Sequence, residues 1–489
     1  MSNSPVLVGV AQVLQRTDDL GEVREPLALM IDAARRAAED AGAPGLLAHA
    51  GAVRVVRGVW RYQDPGRAVA EAVGCPGAKT TLTSFGGNGV QQLVNRSCLE
   101  ILDGRADVVL ITGAEWGRSW ARAKRAGVTL SESEAPGTPD DVIGEDLDMI
   151  HPAEDARGLR MPIQMYAIFE TALRHALGES VEDHAKRVAN LWASFSDVAS
   201  RNPSAWIQEA KSAEEIGTPG PTNRAVSSVY PMLMNSNSRV DMGAALILCS
   251  EKTAKQFGVP REKWIYPQSG TDAVDPKYAS IRDELHGSPG IRIAGARVLD
   301  LAGVAPSELD HVDIYSCFPS AVQVAARELG LPTNDPKRPL TVTGGLTFGG
   351  GPMNNYVMHS IARMAEVLRD DTGSRGLVTA NGGFLSKHAF GVYSSEPAEG
   401  GYRHANVQEQ VDALPTREAV VDHDGEVEIE SYVVMMNGDE PGTAYTACRT
   451  PDGCRTWATV EDPSTAAAMT REEFCGRSAR IDGAGNLSI

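Results

Sequence analysis

The sequence predicts an α/β protein made of two similar halves, with an insertion between them and a small β-rich domain at its C-terminal end. Three observations predict this. A unit of glycine loop, amphipathic helix and buried apolar strand appears near residue 85 and again near residue 348. A helix that stops at Ala-Gly, followed by an apolar strand, precedes each copy. After residue 415 the pattern changes to short alternating segments separated by turn residues.

The elements follow in order. Residues 33–42 form a helix ending in Ala41-Gly42, where glycine supplies the left-handed stop, and 52–59 (AVRVVRGV) a strand. Phe85-Gly86-Gly87-Asn88-Gly89 opens a helix whose apolar face is Val90, Leu93, Val94, Cys98, Ile101 and Leu102. It stops near Gly104 and leads into the apolar strand ADVVLITGAE. Residues 120–231 are an insertion: a Pro-, Asp- and Glu-rich lid over 131–155, then helices over 163–177 and 181–200. The strand 240–250 (VDMGAALILCS) re-enters the core. The second copy has a helix over 295–303, a strand over 312–318 (VDIYSCF), the loop Phe348-Gly349-Gly350-Gly351-Pro352 with its helix, and the strand LVTANGG. Strand–helix alternation of this kind predicts mostly parallel sheets covered by helices. Residues 1–119 with 232–250 form the first half, 120–231 the lid, 251–406 the second half, 407–415 a linker and 416–489 the added domain. There EVEIESYVVMM, TAYTACRT and RTWATV, separated by Asn437-Gly438, Pro441-Gly442 and Pro451-Asp452-Gly453, read as a small antiparallel barrel closed by SARIDGAGNLSI.

Composition narrows the functional classes. The 489 residues carry 46 Lys+Arg against 64 Asp+Glu, a net charge of −18, which disfavours nucleic acid and anionic membranes as partners. No run of about 18 apolar residues predicts a membrane span, and Met1–Pro5 does not begin a secretory leader. The cysteines at 75, 98, 249, 317, 448, 454 and 475 lack CxxC spacing, which suits reduced thiols in a cytoplasm and predicts no metal site.

Four stretches together resemble the thiolase superfamily over about residues 4–400: 104–115 (GRADVVLITGAE), 235–250 with Asp241-Met242-Gly243-Ala244-Ala245, Gly344-Gly345 with Gly350-Gly351-Pro352, and 312–318, which is nearer the sterol-carrier-protein type. The C-terminal domain is similar to the additional domain of type-1 thiolase-like proteins and, more loosely, to OB-fold modules that accompany thiolase-like partners. The resemblance implies a duplicated αβαβα core. It also implies a cysteine nucleophile at the first helix N-terminus, a histidine that activates it, a second cysteine for proton transfer, and an asparagine or histidine that orders an oxyanion water. The matching positions here are Gly87 (or Gly86 with a slip of one), Gly351, the turn 380–383 with Asn381, and Tyr315. Thiolysis and Claisen condensation are therefore not expected.

Glycine-rich helix starts still present N–H groups, so the resemblance implies a pocket for CoA or an acyl-CoA in lipid or steroid metabolism, with no covalently bound cofactor. Gly86, Asn88, Gly350, Gly382, Gly383 and Lys387 are its expected contacts. The alternative is an acyltransferase or hydrolase that uses His388, Tyr315 or Cys317 as substitutes. A third reading is a structural partner of an active thiolase. Cys98, Cys249 and His359 read as core or helix-face residues, and Arg118 and Arg122 as candidate phosphate contacts. Partner surfaces are residues 80–84, the strand through which thiolases dimerise, and the C-terminal domain.

Overall fold

The computed structural model describes residues 3–489. Met1 and Ser2, where the reading of the first residues begins, lie outside the described residues. The first sheet contains β1 (Pro5–Leu14), β2 (Ala52–Val55), β3 (Lys79–Thr83), β4 (Val108–Trp116), β5 (Asp141–Ile143) and β6 (Asp241–Ser250), in the order β1-β6-β4-β2-β3-β5. The second contains β7 (Tyr266–Val274), β8 (His311–Asp313), β9 (Arg375–Gly382), β10 (Lys387–Ser394) and β11 (Arg403–Asn406), in the order β11-β7-β10-β9-β8.

Both sheets are mostly parallel, each with a single antiparallel strand, β6 in the first and β10 in the second. β4, β2, β3 and β5 run parallel, while β6 is antiparallel to β1 and β4, and β10 is antiparallel to β7 and β9. Helix α1 (Pro26–Asp40) covers the outer face of the first sheet, and α2 (Pro65–Val73) joins β2 to β3. Helix α3 (Gly89–Leu102) lies between the sheets, touching β4 and β6 on one side and β9 and β10 on the other. The layering is therefore αβαβα, as the family resemblance implies. The face of α3 predicted to be apolar is buried at Val90, Leu93, Val94, Cys98 and Ile101. Gly42 (φ 65°) and Gly303 (φ 66°) both adopt the left-handed conformation that ends their helices.

After β4 the chain forms α4 (Gly117–Ala126), and the lid helices are α5 (Pro162–Leu177) and α6 (Val181–Arg201). The second half adds α7 (Pro289–Ala302), α8 (Pro319–Glu328) and α9 (Tyr356–Asp370). Two predicted strands are shorter than their apolar runs. The first ends at Val55, where 56–63 departs as a loop. The second ends at Asp313, because its buried carboxylate accepts hydrogen bonds from Thr341, Thr343 and Tyr356. Ile314 N donates instead to Leu340 O, and Tyr315 N to Thr379 Oγ1, so the chain leaves the sheet and enters α8.

The C-terminal sheet has β12 (Gly425–Asn437), β13 (Glu440–Arg449), β14 (Arg455–Val460), β15 (Ser478–Ile481) and β16 (Leu487–Ser488), in the order β14-β13-β12-β15-β16. It has its own small core around Ile429, Val434, Ala458 and Phe474 and docks on α5. The docking is polar as well as apolar. Buried Arg455 bridges Glu430 (2.7 Å) and the carbonyl of Ala279 (2.9 Å), Trp457 Nε1 donates to Ser280 Oγ (2.8 Å), and Ser431 Oγ donates to Ile168 O (2.6 Å).

Candidate functional site

The glycine loop before α3 faces the turn after β9. Gly86, Gly87, Asn88, Asn381 and Gly382 meet there, all buried. Residue 87 does not have a positive φ, so its backbone accepts any residue; what excludes a side chain is space. A β-carbon on Gly87 would meet the Tyr315 hydroxyl, with Tyr315 Cε2 at 2.8 Å and Asn381 O at 2.5 Å. Tyr315 therefore fills the volume that a side chain at 87 would occupy. The space left among Tyr315, Asn381 and His388 is a void of about 10 Å³, the volume of one water-sized probe.

Asn381 Nδ2 donates to Tyr166 Oη (2.8 Å) and lies 3.9 Å from Cys317 Sγ, while its Oδ1 finds no hydrogen-bond partner among the described residues. Tyr166 is a site residue that sequence reading missed. It sits on the lid helix α5, donates to Gly383 O (3.1 Å) and stacks on Phe318 with 4.6 Å between centroids. A buried helix aromatic far along the chain carries no local signal of such a role. Burial pushes the Cys317 thiol up to about 12 and holds the Tyr315 phenol well above its ordinary range. Neither is a ready nucleophile at neutral pH.

Gly350 and Gly351 are buried in a different setting. Gly351 N donates to Asn237 O (3.0 Å), and a β-carbon there would meet Ser236 Oγ at 2.5 Å, while one on Gly350 would meet Met242 Sδ at 2.6 Å. His359, on α9, faces Gln12 (2.9 Å), and burial pushes its pKa down to about 3, so the imidazole is neutral.

His388, expected as a substitute catalytic group, stands in a buried strand. It lies on β10, opposite Asn381 and Ala273, and its Nε2 is 3.0 Å from Asp275 Oδ2 and 3.3 Å from Ser288 Oγ. Asp275 also accepts from Gly290 N (2.7 Å) and from Ser288 Oγ. Burial would raise the Asp275 carboxyl, but the hydrogen bond and charge of His388, with Arg282, outweigh it and hold it below the usual range. Ser288 and Asp275 both approach Nε2, whereas a nucleophilic relay needs them on opposite ring nitrogens. The cluster caps α7 and joins it to the sheet.

Lys387 Nζ donates to Phe85 O (3.1 Å) and Glu145 O (2.6 Å), tying the lid to the glycine loop; burial lowers its pKa. Asn88 Nδ2 donates to Gln92 (2.9 Å). Arg118 and Arg122 are tied to the carbonyl of Thr17 and to Asp18. His175, Glu473 and Cys475 place ligand-type atoms within 4.8 Å of one another, but Arg174 already pairs with both oxygens of Glu473 at 3.2 Å. The edge of β3 is occupied by β5 of the same chain, with Thr81, Leu82 and Thr83 opposite Asp141, Val142 and Ile143.

Comparison with known proteins agrees with this architecture. Residues 406–486 match the family model described as the thiolase-like protein type 1 additional C-terminal domain. The crystal structure of a monomeric SCP2-thiolase like protein type 1 from Mycobacterium smegmatis superimposes with a TM-score of 0.85 at 30% identity. The match covers 100% of this chain and 99% of that one. The Ltp2-ChsH2(DUF35) aldolase matches with a TM-score of 0.62 at 18% identity, over 81% of this chain and 99% of that one, a likeness of fold alone. An acetyl-CoA acetyltransferase of Methanocaldococcus jannaschii is 21% identical over 238 residues, 48% of this chain, and the chain spans about half (53%) of that curated relative.

Proposed function

The chain belongs to the SCP2-thiolase-like protein type 1 family, and from that premise we propose that it acts by binding rather than by acyl transfer at its glycine loops. The observation that carries this reading is the contact of Tyr315 with Gly87. Acyl transfer of the thiolase kind needs a thiolate at that point and a base beside it. Here residue 87 has no side chain, its space is filled, and residue 351 is also glycine. The substitutes are poorly suited. Cys317 is held as a thiol by burial, and His388 is committed to Asp275.

The ligand class in this reading is CoA or an acyl-CoA, the class the family resemblance implies. The N-terminus of α3 and the nearby Lys387 ammonium support it, since both favour an anionic or carbonyl group. A thioester reaches α3 only if the Tyr315 ring swings out, so Tyr315 acts as the gate of the pocket. The closed β3 edge supports a monomer in place of the thiolase dimer.

Calorimetric titration of CoA and acetyl-CoA into the wild-type chain and Tyr315→Ala tests this reading. It predicts binding that tightens in Tyr315→Ala. Absence of binding in both proteins rejects CoA as the ligand and favours the remaining reading, a structural partner of an active thiolase.

A further inference from the structure

A large cavity opens outside the carboxyl ends of β2 and β4, adjacent parallel strands of the first sheet. Crevices at the carboxyl ends of strands are where α/β sheets hold small ligands. The volume is about 630 Å³, within the range of small-molecule sites. It shares no lining residue with the void beside Tyr315. Its walls come from the loop after β2, from β4 and α4, and from the lid strip 130–136.

The walls are held from behind. Gln63 N and Asp64 N both donate to Ala135 O (3.0 Å), and Arg61 N donates to Glu132 Oε2 (2.9 Å). Tyr62 Oη (2.8 Å) and Ser133 N (2.6 Å) share the carboxylate of Glu25. The lid strip is therefore a fixed wall rather than a loose flap. Tyr62 and Trp116 are buried wall residues, while Trp120 is 55% exposed at the rim. An exposed indole at the edge of a cavity has apolar area still to cover.

The charge of the lining selects the sign of a ligand. Glu132 and Glu134 stand against a single basic side chain, Arg61. Lys124 Nζ already lies 5.2 Å from the Trp120 ring centroid, so this indole accepts a cation in the structure itself. Behind the wall, Glu115 accepts from Val59 N (2.8 Å) and is kept largely protonated at neutral pH by burial, which pushes it up to about 8.

We propose that this cavity binds a small organic amine, with its ammonium head against Glu132 and Glu134 and its apolar body against Tyr62, Trp116 and Trp120. The test uses the full chain and two probes that share one ring but differ in charge, phenethylammonium and hydrocinnamate. Saturation-transfer NMR and tryptophan fluorescence report binding. Phenethylammonium is expected to bind, and hydrocinnamate more weakly. Trp120→Ala, which removes a half-exposed side chain, should weaken the ammonium by about tenfold. Glu132→Gln with Glu134→Gln should abolish the preference for positive charge. The proposal is overturned if neither probe binds at millimolar concentration, if hydrocinnamate binds as well as the ammonium, or if Trp120→Ala leaves binding unchanged.

Discussion

The Tyr315 hydroxyl lies within clashing distance of where a β-carbon on Gly87 would be, so the start of the interlayer helix α3 is covered by a side chain from the other half of the protein.

The first expectation concerns that contact. Gly87→Cys forces the Tyr315 ring aside in a packed interior and should destabilise the protein by about 1–3 kcal/mol. Adding Tyr315→Ala to Gly87→Cys should recover part of that loss, the part due to the ring, since the Asn381 carbonyl still crowds the β-carbon. Urea unfolding measures both, and additive losses would show that the two residues do not compete for one space.

His388→Ala leaves the buried Asp275 carboxylate without its imidazole partner, at a cost of about 3–5 kcal/mol. The pH dependence has a defined sign. Asp275 is held below its unfolded value of about 3.9, so its contribution is present above that pH and is lost as pH falls through the lower folded value. Thermal melting against pH should show this acid-side loss in the wild type and less of it in His388→Ala. Equal stability of the two proteins at neutral pH would remove the capping role given to His388.

Glu115 behaves in the opposite sense. Its folded pKa of about 8 lies above the unfolded value of about 4.3, so the folded state binds an extra proton between them and stability declines as pH rises through that window. Glu115→Gln keeps the acceptor for Val59 N and should flatten the decline, which denaturant titrations at pH 5 and pH 8.5 would reveal (pH values chosen at about the edges of the window).

Six of the seven cysteines are buried and Cys454 is half-buried. A thiol reagent on the native protein should therefore modify Cys454 first, and Cys454→Ser should remove the fast phase. Fast labelling of Cys317, found by mass mapping, would contradict the sealed site.

Much of the fold was legible because the repeat is written in local signals. Glycine stops at 42 and 303, the apolar face of α3 and the paired loops all depend on neighbours a few residues apart. The sheet containing His388 was less legible. Lys387–Ser394 is buried on every residue, yet it follows a glycine turn and has mixed polarity, so it read as loop. The glycines at 87 and 351 were legible in the sequence, but not what fills the space beside them. Tyr315 meets Gly87 from a distant segment, and Asp275 lies 113 residues from His388. β5 was invisible too: three residues of a polar lid become a strand only because β3 offers an open edge.

That edge gives another expectation. Light scattering should report the mass of one chain, 52.0 kDa. Val142→Pro, at an exposed side chain of β5, should loosen its pairing with Leu82, bare the β3 edge and produce concentration-dependent association. A variant that stays monomeric at every concentration would mean that β5 is not what blocks dimerisation.

The most direct test of binding in place of acyl transfer is the rate of CoA-dependent cleavage of acetoacetyl-CoA by the purified chain. The predicted rate equals that of the protein-free control and does not change in Cys317→Ser or His388→Ala. Turnover above the control that disappears in either variant would contradict the account.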